Sequence, residues 1–590
     1  MAEPSGLRSR IEAWLAEDPD PQTHAEVQAL LDAGSWADLT DRFDGRLAFG
    51  TAGLRGVIGG GTNRMNLAVV RQATKGLVDY IQRLVPDANA RGLVVGFDGR
   101  RMSREFANEV VEVAAGAGMH VRIFDHVVPT PVVGFVCKET NAAGAVMVTA
   151  SHNPPEYNGY KVYWGNAAQI VPPQDEGISA AIEAVGPLSQ VPRVAYAKAF
   201  EQGLASIVPA ALEAQYDAAI QKLALHPGVQ RDLVIAYTAL HGVGNAPAMR
   251  ALKTAGFTNV HSVAAQAEPD GAFPTVRFPN PEEAGAMDLV FALGREKNAD
   301  LVIANDPDAD RLSLAVRTLE GNFPGSETGD QYQQLTGNEV GCLLGSYLLE
   351  FAPKTPGKKQ LVVSSLVSSP MIGAIAASFG AHWEEVLTGF KWIANRSLEL
   401  ASEGYELVLG YEEALGYSVS TVVRDKDGVS AALVAADMTA YYKSKGLTLL
   451  DALDLLARKH GLFLSKQVSV TMKGSEGAAQ ISAIMERVRQ AAPTQIGEHK
   501  VLAIRDLKLR EKRYADGRVE PLSFLSSNVL SLELEGGHRI MLRPSGTEPK
   551  IKYYFDVRES VGAREHIFSA RGRGERTVAA MVEALLEVVR

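Results

Sequence analysis

Cysteine is nearly absent: two residues, Cys137 and Cys342, lie far apart in a chain of 590 residues. That excludes a disulfide framework and any CxxC metal site, and it suits a reducing compartment. Long apolar runs are missing as well. No stretch approaches the roughly 18 consecutive apolar residues of a membrane span. The opening residues, MAEPSGLRSRIEAWLAEDP, carry charges where a signal peptide needs an apolar core. Nor is there a surplus of positive charge. Basic residues number 59 and acidic ones 69, and the net charge of −10 recruits no nucleic acid. Together these absences describe a cytoplasmic protein with neither a membrane nor a nucleic-acid partner. What remains is ordinary, 46% hydrophobic and 22% charged, as in soluble globular proteins. A chain of this length is too long for one core and implies about three to five domains.

The pattern of elements divides the chain. Residues 1–46 read as amphipathic helices, with Ile11, Trp14 and Leu15 on one face and Val27, Leu30 and Leu31 on another. A buried strand followed by a helix then appears three times, at Leu93 to Asp98, Leu233 to Leu240 and Gln360 to Ser365. Ser103 is expected to cap the first of these helices. Each unit later yields a second strand ending in a loop of unusual chemistry, at Ser151, Asp306 and Glu412. In α/β units such loops form the site. From residue 462 the alternation stops; strands at Val529 to Leu534 and Arg539 to Leu542 flank Gly536-Gly537 as a hairpin, and an amphipathic helix spans about Glu575 to Val589.

The loops carry the chemistry. After the apolar run Gly144 to Val148 comes Thr149-Ala150-Ser151-His152-Asn153-Pro154-Pro155-Glu156-Tyr157-Asn158-Gly159-Tyr160-Lys161. The prolines end the strand and Asn158-Gly159 reads as a turn, so Ser151 is presented on a tight loop beside basic groups that activate a hydroxyl. Earlier, Phe49-Gly50-Thr51-Ala52-Gly53-Leu54-Arg55-Gly56 crowds glycines around one arginine, allowing close backbone approach while Arg55 reaches out. The second loop, Asn305-Asp306-Pro307-Asp308-Ala309-Asp310-Arg311, offers three carboxylates suited to Mg²⁺. An EF-hand is rejected, because Arg311 stands where it needs glycine and Arg317 where it needs glutamate. The third, Tyr411-Glu412-Glu413-Ala414-Leu415-Gly416, supplies carboxylates that can accept from vicinal sugar hydroxyls. Upstream, Thr388-Gly389-Phe390-Lys391-Trp392 sets a lysine in a turn. Last, Arg543-Pro544-Ser545-Gly546-Thr547-Glu548-Pro549 combines arginine, hydroxyls and a bare glycine N–H as a dianion cradle.

The four loops at Ser151, Asp306, Glu412 and Arg543, in that order along the chain, resemble those of the α-D-phosphohexomutase superfamily of phosphoglucomutases and phosphomannomutases, a likeness that spans roughly residues 46 to 560. Arg64-Met65-Asn66, and Ala414 where the family has serine, look like its phosphoglucomutase-2-like branch. The resemblance implies an α/β fold: three similar α/β domains with mixed sheets and a smaller α+β C-terminal domain, around one central cleft. The expected division is a helical extension at 1–46, then domains at 47–205, 206–325, 326–461 and 462–590.

It further implies a phosphoserine at Ser151 and Mg²⁺ on Ser151, Asp306, Asp308 and Asp310. His152, Lys161, Arg55, Arg311 and Lys391 join the catalysis; Glu412, Glu413, Arg543, Ser545, Gly546 and Thr547 hold substrate. The implied reaction interconverts sugar 1- and 6-phosphates, glucose first and mannose next, through glucose 1,6-bisphosphate as intermediate and activator. A monomer or small homo-oligomer is expected. A phosphopentomutase or a glucose 1,6-bisphosphate synthase of the same family is the nearest alternative. An aspartate-nucleophile phosphatase, with Asp306 as nucleophile, and a non-catalytic sugar-phosphate binder stand further off.

Overall fold

In the computed structural model, residues 3–50, 53–318, 332–472, 475–545 and 550–589 are described. The chain forms two compact units. One comprises Met1–Leu335, Gly389–Gly410 and Leu415–Ser444; the other comprises Thr336–Thr388, Tyr411–Ala414 and Lys445–Arg590.

In the first unit, helices Leu7–Glu17, Pro21–Asp32 and Trp36–Phe43 pack on one another through Leu7, Ile11, Trp14, Val27, Leu39 and Phe43. A mixed six-stranded sheet follows, in the order Leu54–Val57, Tyr157–Trp164, Gly144–Val148, Leu93–Phe97, Val121–Ile123, Ala205–Ile207. Its middle strands are parallel and buried, while Tyr157–Trp164 runs antiparallel to both of its neighbours. The near-continuous apolar runs at 93–97 and 144–148 suit strands covered on both faces.

Here the structure corrects the turn read at Asn158-Gly159. Both residues lie inside a strand, and Gly159 pairs with Arg55. The reason is space: a Cβ at Gly159 would stand 2.6 Å from the Thr149 carbonyl oxygen and 2.8 Å from that of Leu54. Glycine serves close strand approach there, not chain reversal. Ser103 also differs from its expected role. It is the first helical residue, and its hydroxyl donates to Asp98 Oδ1 at 2.7 Å instead of capping.

A second mixed sheet orders Tyr332–Gln334, Ser313–Arg317, Leu301–Ala304, Ile235–Thr238 and Val260–Ser262. Its central strand, Leu301–Ala304, is wholly buried and delivers Asp306 from its carboxyl end. Helix Gly428–Ser444 completes this unit, buried on all sides from Gly428 to Ala440.

In the second unit, strands Lys359–Ser365 and His382–Val386 pair in parallel, with helices Gly337–Phe351 and Met371–Ser378 following the α/β pattern. An antiparallel sheet then runs Leu462–Thr471, Lys550–Glu559, Arg539–Pro544, Leu530–Leu534, His499–Asp506, Glu511–Tyr514, Val519–Pro521. Helices Ser475–Gln490 and Ile567–Val589 share its core through Met485, Val488, Met581 and Leu585. The last helix thus begins earlier than its apolar pattern shows. The hairpin around Gly536-Gly537 forms, with both glycines at positive φ. Both cysteines are buried thiols. Among the described residues, no helix is long and apolar enough to cross a membrane.

Candidate active site

The strand Gly144–Val148 ends at a loop whose shape is set from below. Asp98, at the end of the neighbouring strand, accepts from Thr149 Oγ1 at 2.6 Å, and Thr149 Oγ1 in turn accepts from the Ser151 N–H at 2.8 Å. Arg100 donates to the carbonyls of Ser151 (2.6 Å), Pro154 (2.9 Å) and Tyr157 (3.1 Å), and also to that of Asn153. So held, Ser151 adopts φ 51, a left-handed conformation that costs an L-residue about 1–2 kcal/mol. Two other loops do likewise, at Ala309 (φ 56) and Leu415 (φ 63). Strain of this kind persists where surroundings over-determine it.

Ser151 is buried, and its Oγ donates to Asp306 Oδ2 at 2.7 Å with His152 Nδ1 at 3.2 Å. Lys161 places Nζ between Asp308 Oδ2 (2.7 Å) and Asp310 Oδ2 (2.8 Å). Arg311 gives its N–H to Asp306 Oδ1 at 3.0 Å. Arg55 is exposed and donates to Asn153 Oδ1 at 3.1 Å. Thus Ser151, His152, Lys161, Asp306, Asp308, Asp310 and Arg311 form one cluster, with Arg55 on the adjoining strand.

Electrostatics there are severe. Burial first, then Asp308 and Asp310, push Asp306 well above the usual carboxylate range. Burial also pushes Asp308 and Asp310 up, but for Asp308 the charge and hydrogen bond of Lys161 together with Thr130 and Asp306, and for Asp310 Lys161 with Lys426 and Arg311, hold both low. Burial, with Arg311 and Arg55, keeps His152 well below its ordinary value, as a neutral ring. The three aspartates fit a cation on their own evidence. Each offers an oxygen within 4.8 Å of the others, and the Oδ1 atoms of Asp308 and Asp310 are buried without a hydrogen-bond partner. Buried carboxylate oxygens in that state call for a hard cation.

Lys391 is buried in the first turn of helix Phe390–Ser402, where Nζ pairs with Asp175 Oδ2 at 3.2 Å. In the second unit, Glu413 Oε2 accepts from Ser365 Oγ (2.9 Å) and Ser368 Oγ (3.2 Å), and half-buried Glu412 precedes it. Arg543 sits half-buried near the end of its strand, sharing a hydrogen bond with Tyr554, and the Ser545 N–H donates to the Lys550 carbonyl at 2.7 Å. Gly546 and Thr547 lie outside the described residues.

Sequence reasoning missed two contacts on the aspartates. Thr130 Oγ1 donates to Asp308 Oδ2, and Lys426 Nζ lies 3.2 Å from Asp310 Oδ2. The string Asp425-Lys426-Asp427-Gly428 opening a buried helix was the available signal for the lysine.

Known proteins match this chain along most of its length. Models of the phosphoglucomutase/phosphomannomutase α/β/α domains I, II and III match residues 46–187, 214–321 and 336–458. A probable phosphoribomutase of Schizosaccharomyces pombe is 36% identical over 570 residues, covering 94% of each chain. A probable phosphomannomutase of Haemophilus influenzae is 40% identical over 500 residues, covering 84% of this chain and 93% of that one. A glucose 1,6-bisphosphate synthase of Mus musculus is 33% identical over 616 residues, covering 98% of this chain and 94% of its own. With relatives this similar over this much of its length, three family domains in order and a further C-terminal sheet domain, the chain belongs to the phosphoglucomutase/phosphomannomutase family.

Proposed function

We propose that this protein is a phosphomutase that moves a phosphoryl group between two hydroxyls of one sugar phosphate by way of phospho-Ser151. The observation carrying this reading is Ser151 Oγ, 2.7 Å from Asp306 in a cluster of carboxylates with unpartnered buried oxygens. In the forward half, the P–Oγ bond of phospho-Ser151 breaks as a P–O bond forms to the free sugar hydroxyl, whose proton is passed through His152 to the released Ser151 Oγ, giving a bisphosphate and free serine. In the return half, Ser151 Oγ attacks the other phosphate, the bond from that phosphorus to its sugar oxygen breaks, and the Ser151 proton, passed through the neighbouring His152, ends on the freed sugar oxygen. Asp306, Asp308, Asp310 and the serine phosphate would hold Mg²⁺, which when bound offsets charge on the transferring group. Arg311 and Arg55 add fixed positive charge beside the same phosphate. Lys161, committed to two carboxylates, keeps them oriented.

Glucose 1- and 6-phosphate are the proposed pair, with mannose phosphates next and the cytoplasm as the place of action. A pentose phosphate is the second reading, favoured by the phosphoribomutase among the relatives. Glucose 1,6-bisphosphate synthesis is the third, on the relative of that name. One experiment tests the mutase readings. Purified protein is assayed against the 1-phosphates of glucose, mannose, ribose and glucosamine, with and without glucose 1,6-bisphosphate. Peptide mapping then locates stable phosphate. Turnover with phosphate on Ser151 supports the mutase, and hydroxylamine-labile phosphate on Asp306 refutes it.

A further inference from the structure

Within the second unit, the turn at Glu412-Glu413 and the strand of Arg543 are fastened together by a residue with no assigned role. We propose that Arg539 is a positioning residue for sugar-phosphate binding, acting through Ser368 to fix the turn that presents Glu412. This rests on the reading of Glu412 and Arg543 as substrate contacts. The guanidinium of Arg539 is buried and fully engaged. Nε and Nη2 donate to Asp556 Oδ2 at 2.9 and 2.7 Å, and Nη1 donates to Glu385 Oε1 at 2.8 Å. Nη2 also donates to the Ser368 carbonyl at 2.7 Å. The second oxygen of Glu385 accepts from Arg505 Nη1 at 2.8 Å. Two arginines and two carboxylates leave this buried group neutral, which is the condition under which burial of charge is tolerated.

Ser368 passes the constraint on. With its carbonyl held by Arg539, its Oγ accepts from the Glu413 N–H at 3.1 Å and donates to Glu413 Oε2 at 3.2 Å. Both backbone and side chain of the turn are therefore pinned. Packing supports the same link independently. Leu366 and Val367, just before Ser368, are buried against Met541 and Tyr554 of the antiparallel sheet and against Leu507 and Val529 at the ends of its strands. Arg539 and Arg543 stand four residues apart on one strand and so on one face of it. One end of the strand thus braces the turn while the other carries the phosphate contact. A fixed spacing between the two selects a ligand holding a phosphate and sugar hydroxyls at one separation.

The test uses Ser368→Ala, Arg539→Lys and the double variant of the full chain, assayed with glucose 1-phosphate and glucose 1,6-bisphosphate. Each single change should raise KM about tenfold and leave kcat within about threefold, the mark of lost ground-state binding. The double variant should be no worse than the worse single one, because both break one linkage. Inhibition by inorganic phosphate should stay as in wild type, since Arg543 is untouched. Multiplying effects, a parallel loss of phosphate inhibition or an unchanged KM each overturns the proposal. Should Arg539→Lys fail to fold, an unchanged KM in Ser368→Ala overturns it alone. Wild type without turnover refutes the glucose reading instead, and calorimetric binding of glucose 1-phosphate then takes the place of KM.

Discussion

Ser151, Lys161 and the three aspartates beside it are buried, whereas Arg543, Glu412 and Glu413 are half-buried. The first cluster gathers three aspartates, two lysines and an arginine within a few ångströms. Such charge density is stable only because each group answers another, and two oxygens remain for a cation. The second cluster holds the buried hydroxyls of Ser365 and Ser368 with half-buried Glu412, Glu413 and Arg543. A transferring phosphate needs a preorganised, dry environment that does not rearrange. A sugar that must enter, turn and leave needs partners that exchange readily with water. The difference teaches where an alteration should appear in kinetics: in kcat for the first cluster, in KM for the second.

The sharpest test of that division is Ser151→Ala. Removing the phosphoryl acceptor should lower kcat by about four orders of magnitude or more and abolish phosphate uptake from glucose 1,6-bisphosphate by intact mass. Retained turnover would erase the distinction. Next comes the cation. Chelation should stop turnover and Mg²⁺ restore it, and Asp308→Asn should lower kcat by roughly a hundredfold or more. Substrate binding measured by calorimetry in the presence of chelator should change far less if, as proposed, the sugar contacts are Glu412, Glu413 and Arg543. Arg543→Ala probes the opposite side. Loss of a charge-assisted contact to phosphate costs about 1.5–3 kcal/mol, or on the order of tenfold to a hundredfold in KM, with Ser151 still accepting phosphate. An effect on kcat of the same size would show that the clusters do not divide the work.

Those variants were all legible in the sequence, and for one reason. A loop that holds phosphate or metal packs its reactive residue types into a few consecutive positions, as Ser151-His152-Asn153-Pro154 and Asp306-Pro307-Asp308-Ala309-Asp310 do. The three α/β patterns were readable because buried strands such as Leu93–Phe97 are continuous apolar runs. What stayed hidden was everything set by tertiary partners. Thr130 reaches Asp308 across 178 residues, and Arg539 reaches Ser368 across 171; neither carries a local signature. Asn158-Gly159 misled because its dipeptide propensity is that of a turn, while its neighbours Leu54 and Thr149 demanded a small residue in a strand. Lys391 stood out in its turn, but its partner Asp175, 216 residues away, did not.

The smallest effect separates the two units by stability instead of chemistry. His538, buried at the start of the strand that carries Arg543, accepts the Arg558 N–H at its Nδ1 at 3.1 Å. That acceptor exists only on the neutral ring; a protonated ring would set one N–H against another. Burial first, then the His499 ring 4.5 Å away, lowers the His538 pKa to about 4. In the unfolded chain a histidine titrates near 6.5. Between these values the unfolded state binds more protons, so stability rises with pH across the window. The contribution is full above about pH 6.5 and is lost as pH falls toward 4. Allowing for partial solvent screening, it should amount to about 1 kcal/mol, or roughly 2–4 °C in Tm for a unit of this size. His538→Gln keeps an acceptor but cannot titrate. Between pH 7.5 and 5 the variant should therefore lose less stability than wild type, and only in the transition of the second unit. Hydrogen exchange along Arg539–Pro544 would follow it directly, while the strand Gly144–Val148 should respond identically in both proteins. An equal acid response of that strand to the substitution would mean that the two units unfold as one.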